Sequence, residues 1–343
     1  MAYTDIDDPS AYFQTLLYTG NGADDRALVN DGNSDLQPDW IWFKERNSTS
    51  VHQVLDSSRG VNKALSPNDN GADETYAYLS SFDSNGFTFD QSDGSTNENT
   101  NTFVAWQWKA NGGTTTTNDA SATGIGNTDS VYQANTTAGF SIVTFSGTGS
   151  GMTVAHGLGG TPTLIISKSR NDTENWAVHT TVIDGSLDYL RLSETDAAGN
   201  SGFSLPTSTV FGYNGSNNYV AYCFRSIQGY SKIGRYVGNG STDGTFAYTG
   251  FKPAWVLVKS VDVAQSWQLS DSARNPFNVV NRRLAPNDTS AESTAHSWID
   301  FLSNGFKIRI NDAAYNNNGQ KYLYIAFAEN PFCSSKGVPT TAR

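Results

Sequence analysis

The four histidines are the first side chains to consider for metal binding or acid–base chemistry. They are His52, His156, His179 and His296, and no two of them have the two-ligand spacing of a zinc site. The aspartate-rich stretches lack the glycine and the closing glutamate of a calcium loop. We therefore expect no metal and no cofactor.

Paired carboxylates would be needed for glycoside hydrolysis, set about 5–10 Å apart across a sugar. Glu174, Glu194 and Glu292 are candidates by default, but no catalytic signature surrounds any of them. The chain also lacks a Gly-x-Ser-x-Gly elbow, a phosphate loop and a dinucleotide fingerprint. The sequence predicts a protein that is not an enzyme.

Aromatic residues recur at one position. Trp176 and Trp267, like His52, each follow a lysine by eight residues. Indole rings stack on the faces of pyranose sugars, which makes Trp176 and Trp267 candidate ligand-binding residues. The alternative is that a position retained in three diverged segments belongs to a shared core.

Two shorter motifs carry polar side chains with an evident physical role. His156 lies in a glycine-rich bend, His-Gly-Leu-Gly-Gly-Thr-Pro, where it would bind a ligand or hydrogen-bond the turn backbone. Asp56 with Arg59, and Asp271 with Arg274, share the pattern Asp-Ser-x-Arg. We expect these pairs to close turns as structural ion pairs.

These residues belong to an internal triplication. Three segments open on Tyr18-Thr-Gly-Asn-Gly, Phe145-Ser-Gly-Thr-Gly and Tyr236-Val-Gly-Asn-Gly. Each continues with a hydrophobic run that begins at a proline and ends six residues later at Lys44, Lys168 or Lys259. A period this long is typical of duplicated domains rather than of solenoid units.

The local patterns predict β structure throughout. Asn-Gly and Asp-Gly pairs punctuate runs of β-branched and aromatic residues, and no long segment has a 3.6-residue period. In Trp40-Ile-Trp-Phe43 both faces of the strand are apolar, so we expect burial on both sides. The predicted fold is all-β, with three tandem related β-sandwich domains of jelly-roll or lectin-like type.

The predicted domain boundaries follow from the repeats and from composition. Gly, Thr and Asn dominate the stretch between the first two copies, whereas the second and third copies have almost no spacer. The predicted segments are an N-terminal arm (1–17), repeat 1 (18–111), a linker (112–138), repeat 2 (139–229), repeat 3 (230–333) and a C-terminal tail (334–343). Whether the repeats pack together or form a string of beads stays open.

Composition limits the partners. The formal charge is −11 with an isoelectric point near 4.7, and no basic cluster is present, so nucleic acid is not an expected partner. No stretch approaches 18 consecutive apolar residues, and an acidic surface is repelled by anionic lipid, so membrane insertion is not expected. The first residues lack a secretory signal pattern, and we expect synthesis in a cytoplasm.

The repeated motifs resemble a repeat family of tailed bacteriophages, of marine and cyanobacterial type. The likeness rests on Tyr-x-Gly-Asn-Gly, Pro-x-Trp-Val-x-x-Lys, Asp-Ser-x-Arg, Ser-Asn-Gly-Phe and the closing Ala-Phe-Ala-Glu-Asn-Pro-Phe332. The bend at His156 resembles an element of phage tail-fibre domains. The resemblance implies a structural protein of the virion, assembled in the host cytoplasm, and it brings no catalytic residues.

From this resemblance we expect a tail-fibre or appendage component that is a homo-oligomer, a trimer by analogy with fibre symmetry. A host cell-surface polysaccharide is an expected ligand, and other virion proteins are expected partners through the N-terminal arm. The alternatives are a capsid decoration or head-fibre protein with no ligand, and a polysaccharide depolymerase.

Overall fold

The computed structural model describes residues 2–340, and regular structure in this range is almost entirely antiparallel β-sheet. The two helical elements are a 3₁₀ turn at Pro9–Ala11 and one short helix, α1, at Ala120–Thr123. The predicted all-β fold built from β-sandwiches is confirmed. Each repeat has a large sheet and a small sheet, which enclose a hydrophobic cluster between them.

Repeat 1 has a six-stranded sheet in the order β1-β9-β3-β4-β5-β6 and a three-stranded sheet in the order β2-β8-β7. Its strands are β1 (Phe13–Thr19), β2 (Ala27–Val29), β3 (Trp40–Glu45), β4 (Gln53–Asp56), β5 (Lys63–Leu65), β6 (Glu74–Thr75), β7 (Leu79–Asp83), β8 (Gly86–Phe89) and β9 (Thr102–Trp108).

Repeat 2 has eight strands in its large sheet and two in its small one. Its strands are β10 (Thr116–Asn118), β11 (Ser130–Asn135), β12 (Phe140–Ser146), β13 (Gly149–Ala155), β14 (Leu164–Ser169), β15 (Ala177–Thr180), β16 (Asp188–Arg191), β17 (Gly199–Asn200), β18 (Val210–Gly215) and β19 (Asn218–Phe224). The large sheet has the order β10-β11-β12-β19-β14-β15-β16-β17, and β13 pairs with β18.

Repeat 3 has a four-stranded and a three-stranded sheet. Its strands are β20 (Ser231–Val237), β21 (Phe246–Tyr248), β22 (Phe251–Ser260), β23 (Gln268–Asp271), β24 (Ile299–Leu302), β25 (Gly305–Ile308) and β26 (Lys321–Pro331). The orders are β20-β26-β22-β23 and β21-β25-β24. The same three-strand unit therefore recurs in all three large sheets: β1-β9-β3, β12-β19-β14 and β20-β26-β22.

The strand that contains the repeated lysine is buried on both faces in each repeat, as predicted for Trp40-Ile-Trp-Phe. In β3, Ile41 and Phe43 lie in the cluster between the two sheets of repeat 1, whereas Trp40 and Trp42 lie in a different, larger cluster. Strand side chains alternate between faces, so each large sheet contributes to two separate cores.

The larger cluster is a central core that all three repeats share. It contains Trp106 and Trp108 from repeat 1, Tyr222 and Phe224 from repeat 2, and Phe327 from repeat 3. Aromatic rings contact one another across repeats: Trp40 stacks on Tyr222 at 4.6 Å between ring centroids, and Phe224 meets Phe327 edge-on at 5.8 Å. The three sandwiches therefore pack around one axis and are not beads on a string.

The opening motif of each repeat is explained by this packing. Tyr18, Phe145 and Tyr236 stack on an aromatic ring of the neighbouring strand at 5.1–5.3 Å. The first glycine of each motif, at 20, 147 and 238, lies where a Cβ atom would come within 2.0–2.3 Å of a backbone oxygen. Glycine is required there because no side chain fits.

Residues 112–138 are not a linker, which corrects the prediction. They contain β10, α1 and β11, which extend the large sheet of repeat 2 beyond β12. The apolar pattern is missing because buried positions hold polar side chains with internal partners. Asn118 Nδ2 donates to Ile125 O at 3.0 Å, and Gln133 Nε2 donates to the hydroxyls of Ser57 and Ser58 at 2.7 Å.

The two ends of the chain also depart from expectation. Strand β1 begins at Phe13, so the arm is shorter than 17 residues, and it binds its own chain. Thr4 Oγ1 donates to Gln228 O at 2.8 Å, and the side chain of Ile6 is buried in the central core. The tail turns back at Thr340, whose amide donates to Phe332 O at 3.1 Å. Met1 of the predicted arm and residues 341–343 of the predicted tail lie outside the described residues.

Candidate functional site

The recurring aromatic position forms a hydrogen bond between repeats. Trp176 Nε1 donates to Ser66 O of repeat 1 at 2.9 Å, and Trp267 Nε1 donates to Arg191 O of repeat 2 at 2.8 Å. His52 Nε2 lies 3.1 Å from Ala285 O of repeat 3. Its Nδ1 accepts from Trp42 Nε1, so Nε2 carries the proton and donates. The three bonds run in one direction around the axis.

This geometry corrects the sugar-platform hypothesis for Trp176 and Trp267. Both indole rings are fully buried, and a ring with no exposed face cannot stack on an external pyranose. Burial also lowers the pKa of His52 well below its usual value, with a further contribution from the charge of Lys44. His52 is therefore neutral at pH 7, and all three side chains belong to the shared core.

The lysines that close the hydrophobic runs are buried beside these rings. Lys44, Lys168 and Lys259 are at most 1% exposed. Lys44 Nζ donates to Ser50 O at 2.8 Å and to Thr289 O of repeat 3 at 3.1 Å, while Lys259 Nζ donates to Ser260 O at 2.9 Å and to Thr195 O of repeat 2 at 3.1 Å. Burial lowers the pKa of each lysine to about 8.

Sequence reasoning assigned no role to these lysines. Their signal was the unchanged six-residue spacing from proline to lysine in all three copies. A charged residue at the end of a strand that is otherwise buried is rarely kept without partners. Here the partners are backbone carbonyls, and for Lys44 and Lys259 one of them belongs to a neighbouring repeat.

Two of the three repeat interfaces contain a buried ion-pair cluster. The Asp73 cluster consists of Asp56, Arg59, Asp73 and Arg170, and it joins repeats 1 and 2. Arg59 Nε lies 2.5 Å from Asp56 Oδ2, and Arg59 Nη1 lies 2.8 Å from Asp73 Oδ1. Arg170 of repeat 2 reaches Asp73 Oδ2 at 3.0 Å, and Tyr222 OH donates to Asp56 at 2.7 Å.

The Glu292 cluster repeats this arrangement between repeats 3 and 1. It consists of Asp271, Arg274, Glu292, Arg46 and Arg282. Arg274 contacts Asp271 at 2.6 Å and Glu292 at 3.0 Å, and Arg46 of repeat 1 makes two bonds of 3.1 Å to Glu292. Burial alone would raise the pKa of Glu292, but the charges of Arg274 and Arg46 outweigh it and lower that pKa. The predicted turn pairs are thus the inner halves of larger clusters between repeats.

The third interface, between repeats 2 and 3, is apolar at the equivalent place. One backbone hydrogen bond recurs at all three interfaces. It runs from Asp73 N to Arg170 O and from Glu292 N to Arg46 O in the two ionic clusters. At the third interface it runs from Ala198 N to Val261 O. Val261 is buried and Ala198 packs beside it in the central core. One chain therefore shows the same interface in an ionic and an apolar form.

His156 is part of the turn that contains it. Its Nδ1 accepts from Leu158 N at 3.2 Å, and its Nε2 lies 3.3 Å from Thr207 O. Burial lowers its pKa to about 4, so it is neutral at pH 7. Both ring nitrogens bind backbone and neither faces an open site, which favours the structural interpretation.

Two of the three candidate carboxylates are held by other side chains. Glu292 is enclosed by three arginines, and Glu174 Oε1 accepts from Asn217 Nδ2 at 2.7 Å in repeat 2. Within residues 2–340 no group of three His, Cys, Asp or Glu side chains is placed to hold a metal ion. Over the same range, no helix is long and apolar enough to cross a membrane.

The surface has clefts lined by polar side chains. A groove of about 520 Å³ lies on repeat 2, beside the added strands β10 and β11, and Asn127, Asp129, Arg170 and Asn218 are among its lining residues. A cleft of about 280 Å³ lies where the N-terminal arm crosses repeat 3, between Tyr3 and Tyr248. Either cleft has the size of a small-ligand site.

The fold and the interfaces define a class: an all-β protein in which three β-sandwich repeats of one chain close around a shared core. Within that class, the chain belongs to the family described as a domain of unknown function, DUF7483, whose model matches residues 8–331. The match spans all three repeats, so the family corresponds to the whole closed arrangement of three sandwiches, which we call the ring. No curated protein and no solved structure matches the chain.

Proposed function

We propose that the chain is a non-enzymatic structural protein of a bacteriophage virion, a component of a tail fibre or other appendage. The observation that carries this proposal is how the repeated residues are used. Lys44 and Lys259, the position of His52, Trp176 and Trp267, and both Asp-Ser-x-Arg motifs make hydrogen bonds to a neighbouring repeat. Repeated residues that serve contacts between repeats favour a structural role for the protein over an enzymatic one.

The surface chemistry fits the same proposal. A net charge of −11 and a high content of Gly, Asn, Ser and Thr give a polar exterior with few strong charges. Such a surface suits contact with neutral or weakly charged polysaccharide. We propose that attachment to a host cell-surface glycan is the function of the appendage, and that the protein acts as a homotrimer in the particle.

The N-terminal arm bears on how the protein is anchored. Tyr3 is bound to repeat 3, Thr4 to Gln228 at the end of repeat 2, and Ile6 to the central core, so the described part of the arm is already occupied. We therefore propose that other virion proteins contact the folded ring, with the arm as part of its surface. A capsid decoration protein with no ligand is the second candidate, favoured by the enclosed interfaces and the shallow clefts.

Locating the chain in intact particles tests these proposals. Cryo-electron microscopy with local-symmetry averaging would place it at a tail fibre or baseplate if the first proposal is right. Density on the capsid lattice would favour decoration, and absence from purified particles would refute both. Light scattering of the purified protein would distinguish a trimer from a 37.0 kDa monomer, and sugar release from host polysaccharide would contradict the non-enzymatic assignment.

A further inference from the structure

Two tyrosine hydroxyls meet where the N-terminal arm crosses the outer sheet of repeat 3. Tyr3 OH donates to Gly250 O at 2.7 Å, and it lies 3.3 Å from Tyr248 OH. The side chain of Phe332 meets the Tyr3 ring edge-on at 6.3 Å. Tyr248 itself is 54% exposed, so much of this oriented aromatic side chain is open to solvent.

The sandwich does not need an aromatic residue at this position. In repeat 3, Tyr248 of β21 pairs with Gly305, and in repeat 1, Val29 of β2 pairs with Gly86 in the same register. Phe246 corresponds in the same way to Ala27. Repeat 1 folds with aliphatic residues at both places. The Phe246 ring covers Gly305, where a Cβ atom would come within 2.9 Å of it, but packing within the sandwich does not explain the exposed side chain of Tyr248.

A cleft with hydrogen-bonding walls lies beside these rings. We call it the tyrosine cleft, and its lining includes Tyr3, Ser226, Gln228, Lys232, Tyr248 and Thr249. It adjoins a wider depression that shares Tyr3 and Gln228 and is also lined by Ser335 and Lys336.

Charge makes the tyrosine cleft unusual on this protein. The chain carries a formal charge of −11, yet the charged side chain that lines the tyrosine cleft is Lys232. In the adjoining depression, Lys336 has the carboxylate of Asp7 nearby, which accepts from Ser335 N at 2.6 Å. A negatively charged ligand would be repelled by most of the surface and attracted here. A flat aromatic face beside several neutral polar groups is suited to a ring that has one apolar face and hydroxyls at its edge.

We propose that the tyrosine cleft binds an acidic saccharide, with a pyranose ring on the exposed face of Tyr248 and a sugar carboxylate near Lys232. The exposed side-chain amide of Gln228 is available to the sugar hydroxyls, and the hydroxyl oxygen of Tyr3, which donates to Gly250 O, can still accept from them. The adjoining depression, with Lys336, extends the site to a second sugar unit. This inference rests on the glycan-binding part of the proposed function and assigns it a place and a ligand class.

Titration calorimetry and NMR with the full chain test the proposal. The probes are a short oligomer of uronic acids and a neutral glucan of the same length. We expect the uronate oligomer to bind more tightly, and Tyr248→Val to weaken its binding at least tenfold. Tyr248→Val installs the residue that repeat 1 has at this position, so we expect the fold to be retained. Tyr76→Val, at a distant exposed tyrosine, is the matched control and should leave binding unchanged.

A second variant tests the charge. Lys232→Gln should weaken binding of the uronate oligomer and have little effect on binding of the neutral glucan. The loss of affinity for the uronate oligomer should become smaller as the salt concentration is raised. Circular dichroism would verify that each variant is folded. If the unaltered protein binds neither probe, or if Tyr248→Val binds the uronate oligomer as well as the unaltered protein does, the proposal is wrong. The second result would leave glycan binding elsewhere on the ring, and neither result bears on the location of the protein in particles.

Discussion

The Glu292 cluster allows a test of how charge is used between repeats. The Glu292 side chain is 6% exposed and accepts from Arg46, Arg274 and Arg282. Glu292→Ala leaves Arg274, which is fully buried, with Asp271 as its remaining carboxylate. Removing one partner of a buried ion pair costs about 3–5 kcal/mol. Because Arg282 is 38% exposed and water can screen it, we expect a loss of about 3 kcal/mol in the free energy of unfolding.

The complementary change removes the cation from repeat 1. Arg46→Val leaves Glu292 with Arg274 and Arg282, so the loss is limited to the charge-assisted hydrogen bonds of one arginine, about 1.5 kcal/mol. The double variant places Val and Ala together, as Val261 and Ala198 are at the interface between repeats 2 and 3. We expect the double variant to lose about 2–2.5 kcal/mol, which is less than the sum of the single losses, about 4.5 kcal/mol.

Urea unfolding followed by tryptophan fluorescence measures these free energies, since the chain has eight tryptophans. The informative quantity is the coupling between the two sites, which we expect to be about 2 kcal/mol. Arg191→Ala, which removes a surface pair to Asp196 that is 39% and 51% exposed, is the control and should cost under about 1 kcal/mol. Losses at 46 and 292 that add to within about 0.5 kcal/mol would refute the view that the pair acts as one unit.

Three further outcomes are expected. Trp176→Phe should lower the free energy of unfolding in urea by about 1–2 kcal/mol more than Trp40→Phe does. The reason is that Trp176 Nε1 donates to Ser66 O, whereas the buried Trp40 Nε1 has no partner within the described residues. Equal losses would contradict the role of that bond. The pKa of Glu292 is lowered in the folded state, so the stabilisation by its carboxylate is complete above the usual pKa of 4.5 and is lost as pH falls through the folded pKa. Curves of unfolding free energy against pH for the unaltered protein and for Glu292→Ala should converge in acid, and parallel curves would count against this. The pKa values of Lys44, Lys168 and Lys259 are lowered to about 8 from 10.5, so between these pH values the unfolded chain binds more protons than the folded one. The free energy of unfolding should therefore rise with pH, by on the order of 1 kcal/mol for each lysine, until unfolded tyrosines ionise near pH 10. Lys259→Met should reduce the rise, and a steady fall in stability from pH 8 would contradict the assignment.

The sequence was sufficient for features that depend on neighbours along the chain. Alternation in Trp40-Ile-Trp-Phe43 indicated two buried faces, and the spacing of Asp56 and Arg59 indicated an ion pair at a turn, where the two side chains indeed meet. Both features arise within one strand or one turn, so local spacing decides them.

Features that depend on placement between repeats could not be predicted in this way. Arg46 pairs with Glu292 across 246 positions, and nothing in either segment marks the other. The strands at 116–118 and 130–135 were missed because their buried Asn118 and Gln133 are polar, and hydrogen bonds rather than apolar periodicity hold them. The lysines were visible as a spacing, but the bonds of Lys44 and Lys259 to carbonyls of a neighbouring repeat were not.

The sequence of the middle repeat can diverge because the three interfaces lie within one chain. A homotrimer of one repeat would have three identical interfaces, and losing a charge would affect all of them at once. In a single chain each interface varies alone, so a pair such as Val261 and Ala198 can replace an ionic cluster between repeats 2 and 3 while the Asp73 and Glu292 clusters remain. Repeat 2 therefore lacks the Asp-Ser-x-Arg motif because its interface with repeat 3 does not use it. Its added strands, outside the shared plan, form the wall of a groove that the other repeats do not have in this form.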